Sequence, residues 1–155
     1  MTERKQLTLN MEFLWSFCVR GRDGFRCQLH GRDHLKCRGG LQAAHIVTRG
    51  VKGIKFDLRN GKCLCDAHHK YYTHRVEFWT QLAGLLWPGE WQYVTMKKWQ
   101  GQEFDFDREQ VFAFLLAEAQ KYKWQFVEYL PKLQTIEAWA ENLPRLRPGA
   151  QTKKT

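Results

Sequence analysis

The fold of this chain is decided by residues 37–74, which read CRGGLQAAHIVTRGVKGIKFDLRNGKCLCDAHHKYYTH. The segment LQAAHIV at 41–47 predicts a short strand, and a basic loop follows at 48–59. A second short strand is expected through 62–64. The segment 66–79 (DAHHKYYTHRVEFW) predicts a helix, because Asp66 suits its first turn and apolar residues recur along it. The stretch therefore predicts strand, loop, strand and helix in that order.

Cysteine and histidine are confined to the first half of the chain. Six His and five Cys are present, and all of them lie before residue 75. An odd number of cysteines in a chain without signs of secretion favours thiolate metal ligation over a disulfide framework. Cys18 is the exception, since it lies on the apolar stripe of a predicted helix at 8–19 and is expected to be a small buried residue.

Two pairs of side chains have the spacing of a zinc site. Cys65 and His68 form a C-x-x-H turn at the start of the predicted helix. Four sulfur or imidazole groups can bind zinc tetrahedrally, so a second pair is expected from the loop before the first strand. Cys27 is one member of that pair, and the other is Cys37 or His30. Cys37 is favoured, because a thiolate binds zinc strongly and this residue lies beside the strand.

The positive charge is also confined to the first half. The chain carries 25 Lys and Arg against 16 Asp and Glu, and residues 1–75 account for 15 and 6 of these. A basic half that also carries the Cys and His predicts a metal module that binds a polyanion. No feature provides a code for reading bases. The residues expected to contact phosphate are Arg49, Lys52, Lys55, Arg59, Lys62, Lys70 and Arg75.

The second half is neutral and rich in aromatic residues. It predicts helices at 107–124 and 133–142, followed by a basic tail. We expect three parts: a basic module at 1–78, an aromatic helical extension at 79–147 and a disordered tail at 148–155. The N-terminus is too polar for a signal peptide and no apolar run is long enough for a membrane span, which predicts a soluble cytoplasmic protein.

Residues 37–74 resemble the HNH endonucleases, in the zinc-knuckle form often carried by bacteriophages. The resemblance is carried by His45, Asn60 and His69, by the Arg-Asn-Gly sequence at 59–61 and by the Leu-Cys-x-x-His-His ending at 64–69. With a weaker extension to residues 19–27 (VRGRDGFRC), it covers about a third of the chain. It implies an α+β fold: a ββα-metal finger stabilised by a structural zinc knuckle, with additional helices packed around it.

The resemblance also implies an activity, namely hydrolysis of DNA phosphodiester bonds to 5′-phosphate and 3′-hydroxyl ends. His45 occupies the position of the general base, Asn60 that of the residue that holds the loop or touches the metal, and His69 that of the ligand to a catalytic Mg²⁺ or Mn²⁺. A phage-encoded enzyme of this kind would act in the host cytoplasm. Nicking and double-strand cleavage both remain open, since a double-strand break in one encounter needs two active sites and hence a dimer.

The sequence departs from the family at Ala44. Many relatives carry a second metal ligand directly before the base, and alanine cannot bind metal. Asp57, three residues before Asn60, is the best nearby oxygen donor, and His74 is another candidate. Loop pinning by Asp57 and a structural or phosphate-contacting role for His74 are the alternatives. The departure also allows a different function: a non-catalytic zinc-stabilised DNA-binding protein, or an adaptor in a phage packaging or recombination complex.

Overall fold

A computed structural model describes residues 1–48, 51–100 and 107–143 of the chain. The described residues form an α+β fold with six helices and one two-stranded antiparallel sheet, which confirms the predicted class. Short 3₁₀ turns lie at Lys52–Ile54, Leu58–Asn60 and Val127–Tyr129. The main elements are α1 (Glu3–Arg22), β1 (Leu41–His45), β2 (Gly61–Cys65), α2 (Asp66–Thr73), α3 (Val76–Leu86), α4 (Pro88–Trp99), α5 (Arg108–Ala119) and α6 (Leu130–Glu141).

The described residues group into two compact units. One unit comprises residues 1–18 and 107–143, and the other comprises residues 19–100. Residues 79–100 were expected in a separate helical extension, but they belong to the same unit as the Cys/His half. The expected tail at 148–155 lies outside the described residues. None of the helices described here is both long and apolar enough to cross a bilayer.

The first unit is built on fully buried side chains from α1, α5 and α6. Cys18 is fully buried there, as predicted, and its thiol lies 3.5 Å from the Leu115 carbonyl oxygen. Burial raises the pKa of this thiol to about 12, and the nearby Glu118 acts in the same direction. Cys18 is therefore a structural residue. The core also contains Met11, Leu14, Phe17, Phe112, Leu115, Leu133 and Ile136.

The second unit is organised around the hairpin of β1 and β2. The strands pair antiparallel, with Leu41 opposite Cys65 and His45 opposite Gly61. Every residue of β2 is buried, because other parts of the protein pack against both faces of this strand. Helix α2 begins directly after β2 without a loop. The residues that form the core around this hairpin are Leu29, Ala44, Ile46, Ile54, Leu64, Tyr72, Trp79, Ala83 and Val94.

Several helix boundaries differ from the sequence expectations, including those of α1 and α6, which were expected at 8–19 and 133–142. The predicted single helix at 66–79 is wrong, because the backbone of Arg75 (φ −135°, ψ 59°) leaves the helical region and separates α2 from α3. Helix α4 was not predicted from the sequence. Pro88 lies in its first turn, where a missing N–H costs no hydrogen bond. Helix α5 ends at Ala119 and not at 124.

Candidate functional site

Backbone hydrogen bonds bring three chain segments together at the N-terminus of α2. The Gln28 N–H donates to the Cys63 carbonyl over 2.9 Å and fixes the loop after α1 against β2. The Ala67 N–H donates to the Arg38 carbonyl over 3.1 Å and fixes the segment before β1 against the first turn of α2. These contacts gather the four side chains that the sequence predicted as zinc ligands: Cys27, Cys37, Cys65 and His68.

The four ligand atoms have spacings suited to one tetrahedral ion. They lie within 4.8 Å of one another, and no other such group occurs in the described ranges. The His68 Nδ1 atom is 3.6 Å from the Cys27 sulfur, 3.7 Å from the Cys37 sulfur and 3.0 Å from the Cys65 sulfur. Bonds of about 2.3 Å to sulfur and about 2.0 Å to nitrogen place S and N about 3.6 Å apart in a tetrahedron. The group could therefore hold a zinc ion.

The electrostatics of the cluster also suit a cation. Burial raises the pKa of the Cys37 thiol, and the neighbouring sulfurs of Cys27 and Cys65 raise it further. Burial acts in the same direction on Cys65, but hydrogen bonds, the largest of them from the His68 backbone N–H, outweigh it and lower that pKa to about 6. A divalent ion bound among the sulfurs would stabilise their thiolate forms.

His30, the alternative to Cys37, lies outside the cluster. Its side chain is exposed, and its Nδ1 atom lies 3.4 Å from the Cys37 sulfur. That distance allows a hydrogen bond from the imidazole to the sulfur. His30 is thus a neighbour of the Cys37 ligand position, and Cys37 is the member of the four-residue group.

Asp33 orients the histidine of the cluster. Its Oδ1 accepts a 2.8 Å hydrogen bond from His68 Nε2, and its Oδ2 accepts one of 2.8 Å from the Tyr72 hydroxyl. Burial opposes ionisation of Asp33, but these two hydrogen bonds outweigh it and lower its pKa. An ionised acceptor keeps the proton on Nε2 and leaves the lone pair on Nδ1, the atom that faces the cysteines. Such carboxylate–histidine pairs commonly support zinc ligands.

We expect Asp33→Ala to weaken zinc binding by about 10- to 100-fold, because His68 loses the acceptor that fixes its ring. Competition with a chromophoric chelator measures this affinity. Tyr72→Phe is the control, since it removes the hydrogen bond to Asp33 but leaves the contact between Asp33 and His68. Equal zinc affinity in Asp33→Ala and the unmodified chain would show that Asp33 does not support the site.

A cavity of about 410 Å³ is lined by two histidines of the predicted active site. His45, at the end of β1, and His69, in the second turn of α2, both line it. His68 and His69 are consecutive on a helix, so their side chains point about 100° apart. One can therefore face the cysteines while the other faces the cavity. The remaining walls are mostly apolar and include Ala44, Leu64, Tyr72, Val76 and Trp79.

Two hydrogen bonds hold His45 in place. Its Nε2 lies 2.9 Å from the Lys55 carbonyl oxygen, and the Trp79 indole N–H donates to the His45 carbonyl over 2.8 Å. A carbonyl oxygen only accepts, so Nε2 must carry the hydrogen. The neutral ring therefore has its lone pair on Nδ1. This is the protonation pattern that a general base requires.

Asn60 lies in the interior and not in the cavity. It is fully buried, and its amide binds both the N–H and the carbonyl of Val47, at 2.8 and 3.0 Å, and the Ile54 carbonyl at 3.1 Å. These three bonds close the loop that follows His45. The geometry therefore corresponds to one of the two roles that the resemblance implies for Asn60, namely holding the loop.

We expect Asn60→Ala to lower the free energy of unfolding by about 3 kcal/mol or more, because it leaves three buried backbone groups without their partner at about 1–3 kcal/mol each. Denaturation with urea measures the loss. Asn10→Ala is a matched control, since Asn10 is similarly buried but its side-chain oxygen bonds to Gln6 four residues away. A loss in Asn60→Ala no larger than in this control would contradict the loop-holding role.

The structure places Asp57 away from the cavity. Its side chain accepts from the Arg59 backbone N–H at 2.9 Å, from the Arg59 guanidinium at 3.1 Å and from the Tyr93 hydroxyl at 3.0 Å. It caps the 3₁₀ turn at Leu58–Asn60 and does not line the cavity. These contacts correspond to the alternative to metal binding, in which hydrogen bonds of Asp57 hold the loop in place. His74 is exposed at the end of α2 and likewise does not line the cavity.

The basic residues expected at phosphate are distributed unequally. Lys62 corrects the expectation: it is 5% exposed, and its ammonium is 3.1 Å from Glu90 and 4.9 Å from the Trp87 ring centre. Its charge is therefore paired with Glu90 and is not exposed for contact with phosphate. Arg59, Lys70 and Arg75 are exposed and Lys55 is half-buried. Arg49 lies outside the described residues, as does the side chain of Lys52.

Comparison with known proteins adds no relative. No protein-family model, curated protein or solved structure matches this chain significantly.

Three residues of the site were not anticipated from the sequence: Asp33, Gln42 and Trp79. Their hydrogen-bond partners lie 35, 27 and 34 residues away along the chain. Contacts of this kind leave no spacing pattern. Only the position of Gln42 on the same strand as His45 could have drawn attention to it.

Proposed function

We propose that this chain is a metal-dependent HNH endonuclease with a ββα-metal finger and a structural zinc knuckle. One observation carries the proposal: His45 and His69 line the same cavity, and His69 directly follows His68 of the Cys₃His cluster on α2. The order of β1, β2 and α2 and the loop-closing bonds of Asn60 agree with it.

His45 supplies the base in this proposal. Hydrolysis of a phosphodiester requires removal of a proton from the attacking water, and the neutral imidazole accepts it at Nδ1. The Lys55 carbonyl holds the Nε2 proton throughout and stabilises the imidazolium that forms. Trp79 fixes the His45 backbone through its carbonyl and closes one wall of the cavity.

His69 would hold the catalytic Mg²⁺ or Mn²⁺. Burial lowers the pKa of His69, against the opposing charge of Asp66, so the ring is neutral and able to act as a ligand near neutral pH. Such an ion, when bound, neutralises charge on the phosphate and stabilises the leaving oxygen. Ala44 is buried on the cavity wall and offers no donor, so water would supply most of the remaining ligands of a magnesium ion.

The exposed cations on α2 and just after it provide contacts for a DNA backbone. Lys70 has a side chain that is 75% exposed, although it pairs with Asp66 over 2.9 Å. The Arg75 guanidinium lies 3.8 Å from the Tyr71 ring centre, an arrangement that holds it extended on the surface. Neutralising phosphates with these groups makes binding weaken as salt rises.

Plasmid cleavage by the zinc-loaded protein tests the proposal. With Mg²⁺ or Mn²⁺ we expect conversion of supercoiled plasmid to nicked or linear DNA, with ends that a ligase can join because they carry 5′-phosphate and 3′-hydroxyl groups. The ratio of nicked to linear product distinguishes a monomeric nickase from a dimer. Absence of cutting with either ion would contradict the proposal.

Ala44 favours a second candidate, a non-catalytic zinc-stabilised DNA-binding protein or an adaptor in a phage packaging or recombination complex. This candidate predicts salt-dependent DNA binding without cleavage under any divalent ion. It shares the zinc cluster and the exposed basic residues with the nuclease proposal, so cleavage separates the two.

A further inference from the structure

Gln42 connects His69, one of the two histidines that line the cavity, to the Asp66 carboxylate at the start of α2. Its side-chain nitrogen donates to Asp66 Oδ1 over 2.9 Å, and its side-chain oxygen is hydrogen-bonded to His69 Nδ1. Gln42 lies on β1, three residues before His45, and is half-buried. The three side chains Asp66, Gln42 and His69 therefore form one continuous chain of hydrogen bonds.

The direction of each hydrogen bond follows from the carboxylate. An ionised carboxylate only accepts, so the amide of Gln42 must present its NH₂ group to Asp66. Its oxygen then faces His69 and can only accept, which requires the hydrogen of the imidazole to be on Nδ1. Lys70 supports the first step, because its ammonium pairs with Asp66 Oδ2 over 2.9 Å and leaves Oδ1 as the acceptor for Gln42.

The consequence for His69 is a single arrangement of its ring. With the hydrogen on Nδ1, the lone pair is on Nε2, the nitrogen that Gln42 does not engage. A neutral imidazole in water exchanges between both arrangements, and only the nitrogen with the lone pair can bind a metal ion. A neutral histidine in this cavity without the hydrogen bond to Gln42 would therefore carry its hydrogen on Nε2 for part of the time, and this nitrogen could not then bind a metal ion.

We infer that Gln42 and Asp66 are positioning residues that fix the hydrogen of His69 on Nδ1 and so prepare Nε2 to bind a divalent ion. The inference rests on the proposed role of His69 as a metal ligand. It assigns a function to two residues that carry no part of the sequence resemblance. Neither residue touches the reacting atoms, because both act through the ring of His69.

Nitrogen NMR of the histidine rings tests this directly. We would label the zinc-loaded protein with ¹⁵N-histidine, omit other divalent ions, and assign the His69 signals as those lost in His69→Asn. The unmodified chain should show the hydrogen on Nδ1. Gln42→Leu, which keeps the size but removes the acceptor, should shift His69 toward the other arrangement and weaken Mn²⁺ binding by about 10- to 100-fold. A His69 ring that remains unchanged in Gln42→Leu would overturn the inference.

An exchanged pair controls for a purely structural role of Gln42. In the double variant Gln42→Glu/Asp66→Asn, the asparagine donates to the new carboxylate, which still accepts from His69 Nδ1. We expect this pair to restore both the Nδ1 hydrogen and Mn²⁺ binding. A double variant that behaves like Gln42→Leu would overturn the inference. Unchanged His68 signals in all variants would confirm that the zinc cluster is intact.

The same measurements separate this inference from the proposed function. If Gln42→Leu shifts the His69 ring and weakens Mn²⁺ binding while the unmodified chain cuts no DNA, the nuclease proposal fails and the positioning role stands. If the unmodified chain cuts DNA but Gln42→Leu changes neither the ring nor Mn²⁺ binding, the positioning role fails alone.

Discussion

Replacing His45 with alanine is expected to lower the rate of plasmid cleavage by about 10²- to 10⁴-fold, the usual contribution of a general base. The ring of His45 is half-buried and lines the cavity, and its Nε2 is held by the Lys55 carbonyl. The measurement is single-turnover cleavage of supercoiled plasmid with saturating Mn²⁺. DNA binding should be unchanged, since His45 contributes no charge to phosphate contact.

His34→Ala provides the matched control for this experiment. His34 is an exposed histidine that packs edge-on against the Tyr71 ring, with 5.6 Å between the ring centres, and it does not line the cavity. The control should cut at the rate of the unmodified chain. Equal cleavage by His45→Ala and His34→Ala would remove His45 from the mechanism.

Removal of zinc is expected to unfold the second unit. Structural zinc contributes about 10–16 kcal/mol of apparent binding free energy in small zinc domains. This contribution is comparable to the whole stability of a typical domain, about 5–15 kcal/mol. The cluster joins the loop after α1, the segment before β1 and the start of α2. Chelation should therefore abolish the thermal transition of this unit.

Cys65→Ser tests the same point without a chelator. Elemental analysis should find about one zinc per chain in the unmodified protein and a large loss in Cys65→Ser. Cys18→Ala is the matched control, because Cys18 is also fully buried but lies in the other unit and outside the cluster. It should retain zinc and show only the moderate loss of stability of a core truncation. Full zinc content in Cys65→Ser, or a melting temperature insensitive to chelation, would refute the structural role of the cluster.

The cluster could be predicted from sequence because its chemistry is local and uncommon. Cys65 and His68 share one helical turn, and few roles other than metal binding use that pair together with further cysteines. Residues 27 and 37 carried a weaker signal, and the structure brings both sulfurs to within 3.7 Å of His68 Nδ1. The two short strands were also predicted, at 41–47 and 62–64, and the structure places them at Leu41–His45 and Gly61–Cys65.

Tertiary contacts explain what the sequence did not predict. Lys62 sits in a polar, basic segment, and only its pairing with Glu90, 28 residues later, shows that its charge is buried. The break between α2 and α3 follows from the backbone of Arg75, a residue with ordinary helical propensity. The hydrogen bonds that orient His68, His69 and His45 likewise come from distant residues.

The direct junction of β2 and α2 has a consequence for how this chain can diverge. A single-residue insertion between Cys65 and His68 would rotate both histidines by about 100° about the helix axis, turning His68 away from the cysteines and His69 away from the cavity. We expect substitutions in this stretch to have graded effects. A change in its length should disrupt both the Cys₃His cluster and the placement of His69 in the cavity. In a library of randomised descendants selected for folding, we expect variation of residue type at Ala67 but no variation in length.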